Sequence, residues 1–135
     1  MANKSQSFRD RIVWQKAHAF ALAVYQCTAA FPQYELFGLT SQLRRAAASV
    51  GSNIVEGFRK RTKPDELRFD NTAQVSADEC LYQLILAHDR HYADTAALEA
   101  NLEEVSHLLH GYINGIERGG PWPARYALRA SHYFV

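Results

Sequence analysis

Four times along the chain, apolar side chains recur in alternating steps of four and three residues. The first seam runs Val13, Ala17, Phe20, Val24, Cys27, Phe31, and the second Leu39, Leu43, Ala46, Val50, Ile54, Phe58. The third runs Phe69, Ala73, Ser76, Cys80, Leu84, Ala87, and the fourth Leu98, Leu102, Val105, Leu109, Tyr112, Ile116. Such spacing places one apolar stripe on an α-helix and is incompatible with a half-buried strand, whose period is two. Each stripe must be covered, and four helices with short links cover one another as an antiparallel up-down bundle. The fold class is therefore all-α.

Helix breakers stand between the seams. Phe31-Pro32 ends the first helix, because the residue before proline is pushed out of the helical region and the ring removes a donor. Thr62, Pro64 and the acids Asp65 and Glu66 read as a new start, with proline and negative charge in a first turn. Asp94 or Thr95 can cap the fourth helix, and Gly119-Gly120-Pro121 stops it. The expected helices span about residues 10–30, 38–60, 65–90 and 95–118. These make one bundle domain, residues 1–120. A tail, 121–135, carries Trp122, Tyr126, Tyr133 and Phe134, enough aromatic surface to expect packing on the bundle or on a neighbour.

Charge is segregated along the chain although the formal total is +1. Residues 1–63 hold 10 basic and 3 acidic side chains, net +7, whereas residues 64–135 hold 5 basic and 11 acidic ones, net −6. Cys27 and Cys80 stand alone, with neither a CxxC pair nor a Cys/His cluster, so a disulfide framework and a zinc knuckle are both excluded. A reducing, cytoplasmic setting is expected. No apolar h-region opens the chain and charges interrupt every apolar run, so no membrane span is expected.

Few residues carry the pattern of a reacting centre. With a turn near Lys63, positions summing to about 126 face each other across the second and third helices. This places Ser49 opposite Ser76, Arg45 opposite Glu79, and Glu56 opposite Arg68 or Asp70. With Asn53, these form a polar seam that fixes register more readily than it catalyses, since a carboxylate there has no nucleophile or base beside it. Glu104 and His107 make half of a di-iron ExxH arrangement, and the second half is missing. His88/His91 and His107/His110 are two-ligand pairs, too few for a selective metal site. Gly111, Gly115 and Gly119 permit a close helix crossing. No cofactor, metal or phosphate loop is indicated, and the chain is expected not to be an enzyme. Arg59, Lys60, Arg61 and Lys63 form a basic run that either offsets acidic surface or meets nucleic acid.

Several stretches resemble one family: VWQKA at Val13 to Ala17, Phe31-Pro32, FGL at Phe37 to Leu39, QLRRAA at Gln42 to Ala47, and SNI-x-EG at Ser52 to Gly57. Arg68-Phe69, Ala73, Ser76 and Glu79 continue the match. The chain resembles the bacterial four-helix-bundle proteins of ribosomal RNA intervening sequences over about residues 8–118. It departs from their pattern at Val55 and Val75, where small residues are usual, at the end of helix 3, which reads His88-Asp89-Arg90-His91-Tyr92, and in the aromatic tail, which lies beyond the family core. The resemblance implies a four-helix bundle and a homopentameric ring. It also implies a fold related to the accessory variability determinant of diversity-generating retroelements, a basic pentamer that works with nucleic acid.

Two functions fit these features. One is a homo-oligomeric interaction module associated with RNA or DNA through Arg59, Lys60, Arg61 and Lys63. The other is a protein-binding scaffold without nucleic-acid contact. A second apolar face on the first helix, Trp14, Ala21 and Tyr25, favours self-association in either case.

Overall fold

A computed structural model of the chain describes residues 7–118. The tail residues Trp122, Tyr126, Tyr133 and Phe134 lie outside the described residues, as does Gly119. Four helices account for the architecture: α1 (Ile12–Thr28), α2 (Ser41–Phe58), α3 (Lys63–Asp89) and α4 (Ala96–Glu117). No strand occurs among the described residues. α1 packs on α2 and α4, and α3 packs on α2 and α4, most extensively on α2. The helices thus follow one another around the bundle in chain order.

The four seams meet in the centre. Val13, Ala17, Phe20 and Val24 of α1 join Leu43, Ala46, Ala47, Val50 and Ile54 of α2, Ala73, Cys80, Leu84 and Ala87 of α3, and Leu98, Leu102, Val105 and Leu109 of α4. Alanines on α2 and α3 keep those two helices close. Two seams drift by one position at their ends. Thr28, rather than Cys27, is buried in α1, and Gly57, rather than Phe58, in α2. Thr28 is tolerated there because its hydroxyl donates to the Val24 carbonyl at 2.8 Å and accepts from Arg44 Nε at 2.8 Å.

The connections differ most from expectation. Helix 2 was expected from about residue 38, but a 3-10 turn (Gln33–Glu35) and a π-turn (Leu36–Thr40) precede α2. Gly38 breaks the helix with φ −114° and ψ −113°, while Glu35 accepts from the Leu39 amide at 3.0 Å. Lys63, placed by the sequence in a turn, already belongs to α3, because the Thr62 hydroxyl caps the Asp65 amide at 3.4 Å. At the other end of α3, the Tyr92 amide reaches the Ala87 carbonyl and the His91 amide the His88 carbonyl, each at 2.9 Å. This 6→1 and 5→2 pair is a Schellman stop, with His91 in the left-handed region at φ 64°. At α4 the two sequence candidates divide the work. Asp94 accepts from the Ala96 amide at 3.1 Å, and the buried Thr95 hydroxyl donates to Glu99 at 2.7 Å.

Val75, a departure from the family pattern, is 59% exposed on the outer side of α3. The larger side chain therefore costs no interhelical contact.

Candidate functional site

Of the pairings expected across α2 and α3, one is joined by a hydrogen bond. Ser49 and Ser76 share a hydroxyl hydrogen bond of 2.8 Å. Asn53 Nδ2 donates to the Ser49 carbonyl at 2.8 Å and to its hydroxyl at 3.0 Å, so the amide is satisfied within its own helix. Above this knot, Gln42, Arg45, Ser49, Glu79 and Gln83 line an open groove of about 360 Å³. Arg45 and Glu79 thus face the same space, but no ion pair joins them among the described residues. Glu56 is exposed and pairs with neither candidate. Arg68 instead reaches Asp65 at 3.8 Å and lies 4.7 Å over the Phe69 ring, while Asp70 is buried.

A second polar cluster, unforeseen in the sequence, is buried where α1 and α3 begin and α2 and α4 end. Arg11 and Asp70 are each 1% exposed, and Glu66 and Tyr112 are buried beside them. Arg11 Nη1 donates to the Tyr112 hydroxyl, which donates in turn to Glu66 Oε2 at 2.8 Å. The guanidinium also lies 4.5 Å over the Phe58 ring and 5.1 Å over the Tyr112 ring. Burial raises the Tyr112 phenol above its usual range, with Arg11 acting against and Glu66 and Asp70 with that shift. Gly57 makes room for the carboxylates: a β-carbon there would stand 2.9 Å from Asp70 Oδ1 and 3.2 Å from the Glu66 carbonyl oxygen.

A signal for this cluster exists in α3. Continuing its seam backward from Ala73 by three and then four residues reaches Asp70 and Glu66, two carboxylates on the core side. A buried carboxylate requires a cation or donor, and Arg11 and Tyr112 supply both. The arrangement ties all four helices at one end.

Arg59, Lys60, Arg61 and Lys63 gather at the α2–α3 connection, beyond this cluster. Lys60 is half-buried with its ammonium 4.9 Å over the Phe69 ring, and the other three are exposed. None of the four closes an ion pair among the described residues. His88 contacts Asp89 at 3.2 Å and shares a small surface pocket with His91 and Tyr92, and no group of three or more His, Cys, Asp or Glu converges among the described residues. Glu104 faces Lys16 at 3.4 Å instead of a metal partner.

A model of the 23S rRNA-intervening sequence protein family matches residues 9–111, most of the described bundle. The chain belongs to that family. A crystal structure titled as a protein of unknown function from the S23 ribosomal protein family of Bacteroides thetaiotaomicron is 24% identical and has a TM-score of 0.68. It covers 76% of this chain and 98% of its own, and it shows the shared fold. None of the curated proteins matches the chain. Within the 23S rRNA-intervening sequence protein family, then, the motif residues have distinct uses here. Asn53 bonds within α2 to Ser49, which in turn pairs with Ser76 of α3, Gly57 admits the buried carboxylates, and Phe37 points to solvent at 91% exposure. No helix of the described residues is long and apolar enough to cross a membrane.

Proposed function

We propose that this member of the 23S rRNA-intervening sequence protein family is a cytoplasmic, non-catalytic module that works by self-assembly, as the homopentamer its family resemblance implies. The observation that carries the reading is apolar surface left uncovered on two sides of the bundle. Leu22 and Tyr25 are exposed on α1, and Val75 and Tyr82 on α3. Large apolar side chains grouped on one helix face and rimmed by polar ones are the kind of surface that a partner covers. The polar groups between the helices support the non-catalytic part of the reading: Ser49 is engaged with Ser76, Arg11 with Tyr112 and Tyr112 with Glu66, each across helices, and Asn53 with Ser49 within α2. Light scattering at micromolar concentration tests assembly. A mass near five chains is expected, and a 15.3 kDa particle overturns it.

A second reading, association of the same assembly with RNA or DNA, is favoured by the cation cluster at the α2–α3 connection. Of the acids that could neutralise it from a neighbour, Glu99, Glu103 and Glu104 stand about 12 to 20 Å along α4 from the Tyr112 layer, toward the other end of the bundle. Side-by-side bundles therefore keep those three acids away from Arg59, Lys60, Arg61 and Lys63, which favours phosphate as their partner. Repetition around a ring concentrates that charge. Binding should be independent of sequence and fall steeply with salt, with a slope of about −0.9 per phosphate contacted on duplex DNA. Replacing Arg59, Lys60 and Arg61 with Glu should abolish retention of RNA and DNA at low salt while leaving the mass unchanged. A parent protein that retains neither nucleic acid at low salt leaves the protein-binding scaffold.

A further inference from the structure

The apolar surface on α1 is a groove rather than a flat patch. Trp14, Leu22 and Tyr25 of α1 and Ala48, Gly51 and Val55 of α2 border a space of about 360 Å³ on the outside of the bundle. Trp14 and Tyr25 wall it on the α1 side, and small residues of α1 and α2 make its floor. Trp14 stacks on His18 with ring centres 5.0 Å apart, which stiffens one wall. Both ends carry cations: the Arg9 guanidinium lies 5.9 Å from the Trp14 ring, and that of Arg44 lies 4.9 Å over the Tyr25 ring.

A complementary shape stands on α3. Val75 and Tyr82, seven residues apart, share one stripe of the helix and are 59% and 64% exposed. Exposed Asp78 and Glu79 flank them. An apolar ridge edged with acids thus lies on the negative half of the chain, and an apolar groove edged with cations on the positive half. α3 packs on α2 and α4, which places it diagonally across the bundle from α1. A ridge cannot enter the groove of its own bundle.

The heights agree as well. The Arg11–Tyr112–Glu66 link sets residue 11 of α1 level with residue 66 of α3. At a rise of 1.5 Å per residue, the groove runs from about 5 Å (Trp14) to about 21 Å (Tyr25) above that layer, and the ridge from about 14 Å (Val75) to about 24 Å (Tyr82). Two copies can therefore meet side by side with little axial offset. Different surfaces that meet head-to-tail close into a ring when the rotation between copies closes, and a small rise along the axis is the other condition for it.

We propose that the α1–α2 groove of one copy receives the Val75/Tyr82 ridge of the next, in a head-to-tail interface that the segregated charge orients. This rests on the self-assembly reading and specifies which surfaces carry it. The test uses full-length chains with Leu22→Asp in the groove or Val75→Asp on the ridge, both at exposed positions, with circular dichroism confirming that each stays helical. Light scattering should find each variant alone at 15.3 kDa. An equimolar mixture should stop at twice that mass, because one intact groove meets one intact ridge and the remaining pair of surfaces repel. A parent chain that is itself monomeric removes the self-assembly reading. A parent assembly that survives both substitutions removes only this pairing, and so does a mixture that stays monomeric. A Leu22→Asp chain with unchanged mass and a lowered thermal midpoint shows the groove filled from within its own chain and overturns the pairing.

Discussion

Gly57 of α2 lies so close to Asp70 of α3 that a β-carbon on the glycine would stand 2.9 Å from Oδ1, with the Glu66 carbonyl oxygen at 3.2 Å. Neither neighbour is a flexible side-chain end: Asp70 is buried and the carbonyl is backbone. Glycine within a helix ordinarily costs about 1 kcal/mol relative to alanine, yet here its absence of a side chain is what lets α2 and α3 approach.

Gly57→Ala should therefore destabilise the protein, by about 1 to 2 kcal/mol after the propensity gain is subtracted, as expected for overpacking. Gly51, in the same helix, supplies the control. A β-carbon there would meet only Trp14 Nε1 at 3.5 Å, an ordinary contact, so Gly51→Ala should stabilise by about 0.5 to 1 kcal/mol. Urea unfolding of the two variants measures both signs, and a stabilised Gly57→Ala chain contradicts the close approach.

Tyr112→Phe removes the hydroxyl that Arg11 and Glu66 share. Hydrogen bonds to charged groups contribute about 1.5 to 3 kcal/mol, and a loss of that size is expected at neutral pH. The pH dependence follows from the raised phenol. Its protonated form is favoured in the folded state, first by burial. This contribution is fully present below the unfolded phenol's value of about 10 and is lost as pH rises beyond it. The parent should lose stability more steeply than Tyr112→Phe between neutral and strongly alkaline pH, so the gap between them narrows. A constant gap across that range speaks against a buried phenol.

The four seams were legible because each helix buries one stripe, and the α4 residues from Leu98 to Ile116 all lie in the core as spaced. The Ser49–Ser76 pairing was legible because a short turn fixes the register of antiparallel neighbours. The cluster of Arg11, Glu66 and Asp70 around Tyr112 was not, since hydrophobic periodicity reads charged residues as surface. The π-turn at Gly38 was missed for a related reason: its Leu36 and Leu39 continue an apolar rhythm while the backbone between them departs from the helix. Arg45 and Glu79 show the limit of register reasoning, which places side chains opposite each other without fixing their rotamers.

The two thiols should differ sharply in reactivity. Burial pushes Cys80 up to about 12, with Glu79 adding to the shift, and it raises Cys27 as well. Only the thiolate attacks an alkylating reagent. At mildly alkaline pH, half-buried Cys27 should label slowly in the folded protein, and Cys80 only as fast as the bundle opens. Mass spectrometry of peptides labelled in increasing urea measures this. Equal labelling of both without denaturant would falsify the packing of Cys80 in the core.

His91 ends α3 in the left-handed region at φ 64°, the position that a Schellman stop usually gives to glycine. Its amide and that of Tyr92 both bond back to α3 at 2.9 Å, so the conformation is held by the stop itself and not by the imidazole. An L-residue there costs about 1 to 2 kcal/mol that glycine does not. His91→Gly should accordingly stabilise the protein by about 1 kcal/mol, part of the gain being offset by the greater freedom of glycine in the unfolded chain. His91→Ala keeps the β-carbon and should yield no such gain. Thermal unfolding of the two variants separates backbone strain from loss of the side chain: equal midpoints for Gly and Ala would mean that the imidazole, rather than the left-handed turn, sets the energy of the α3 stop.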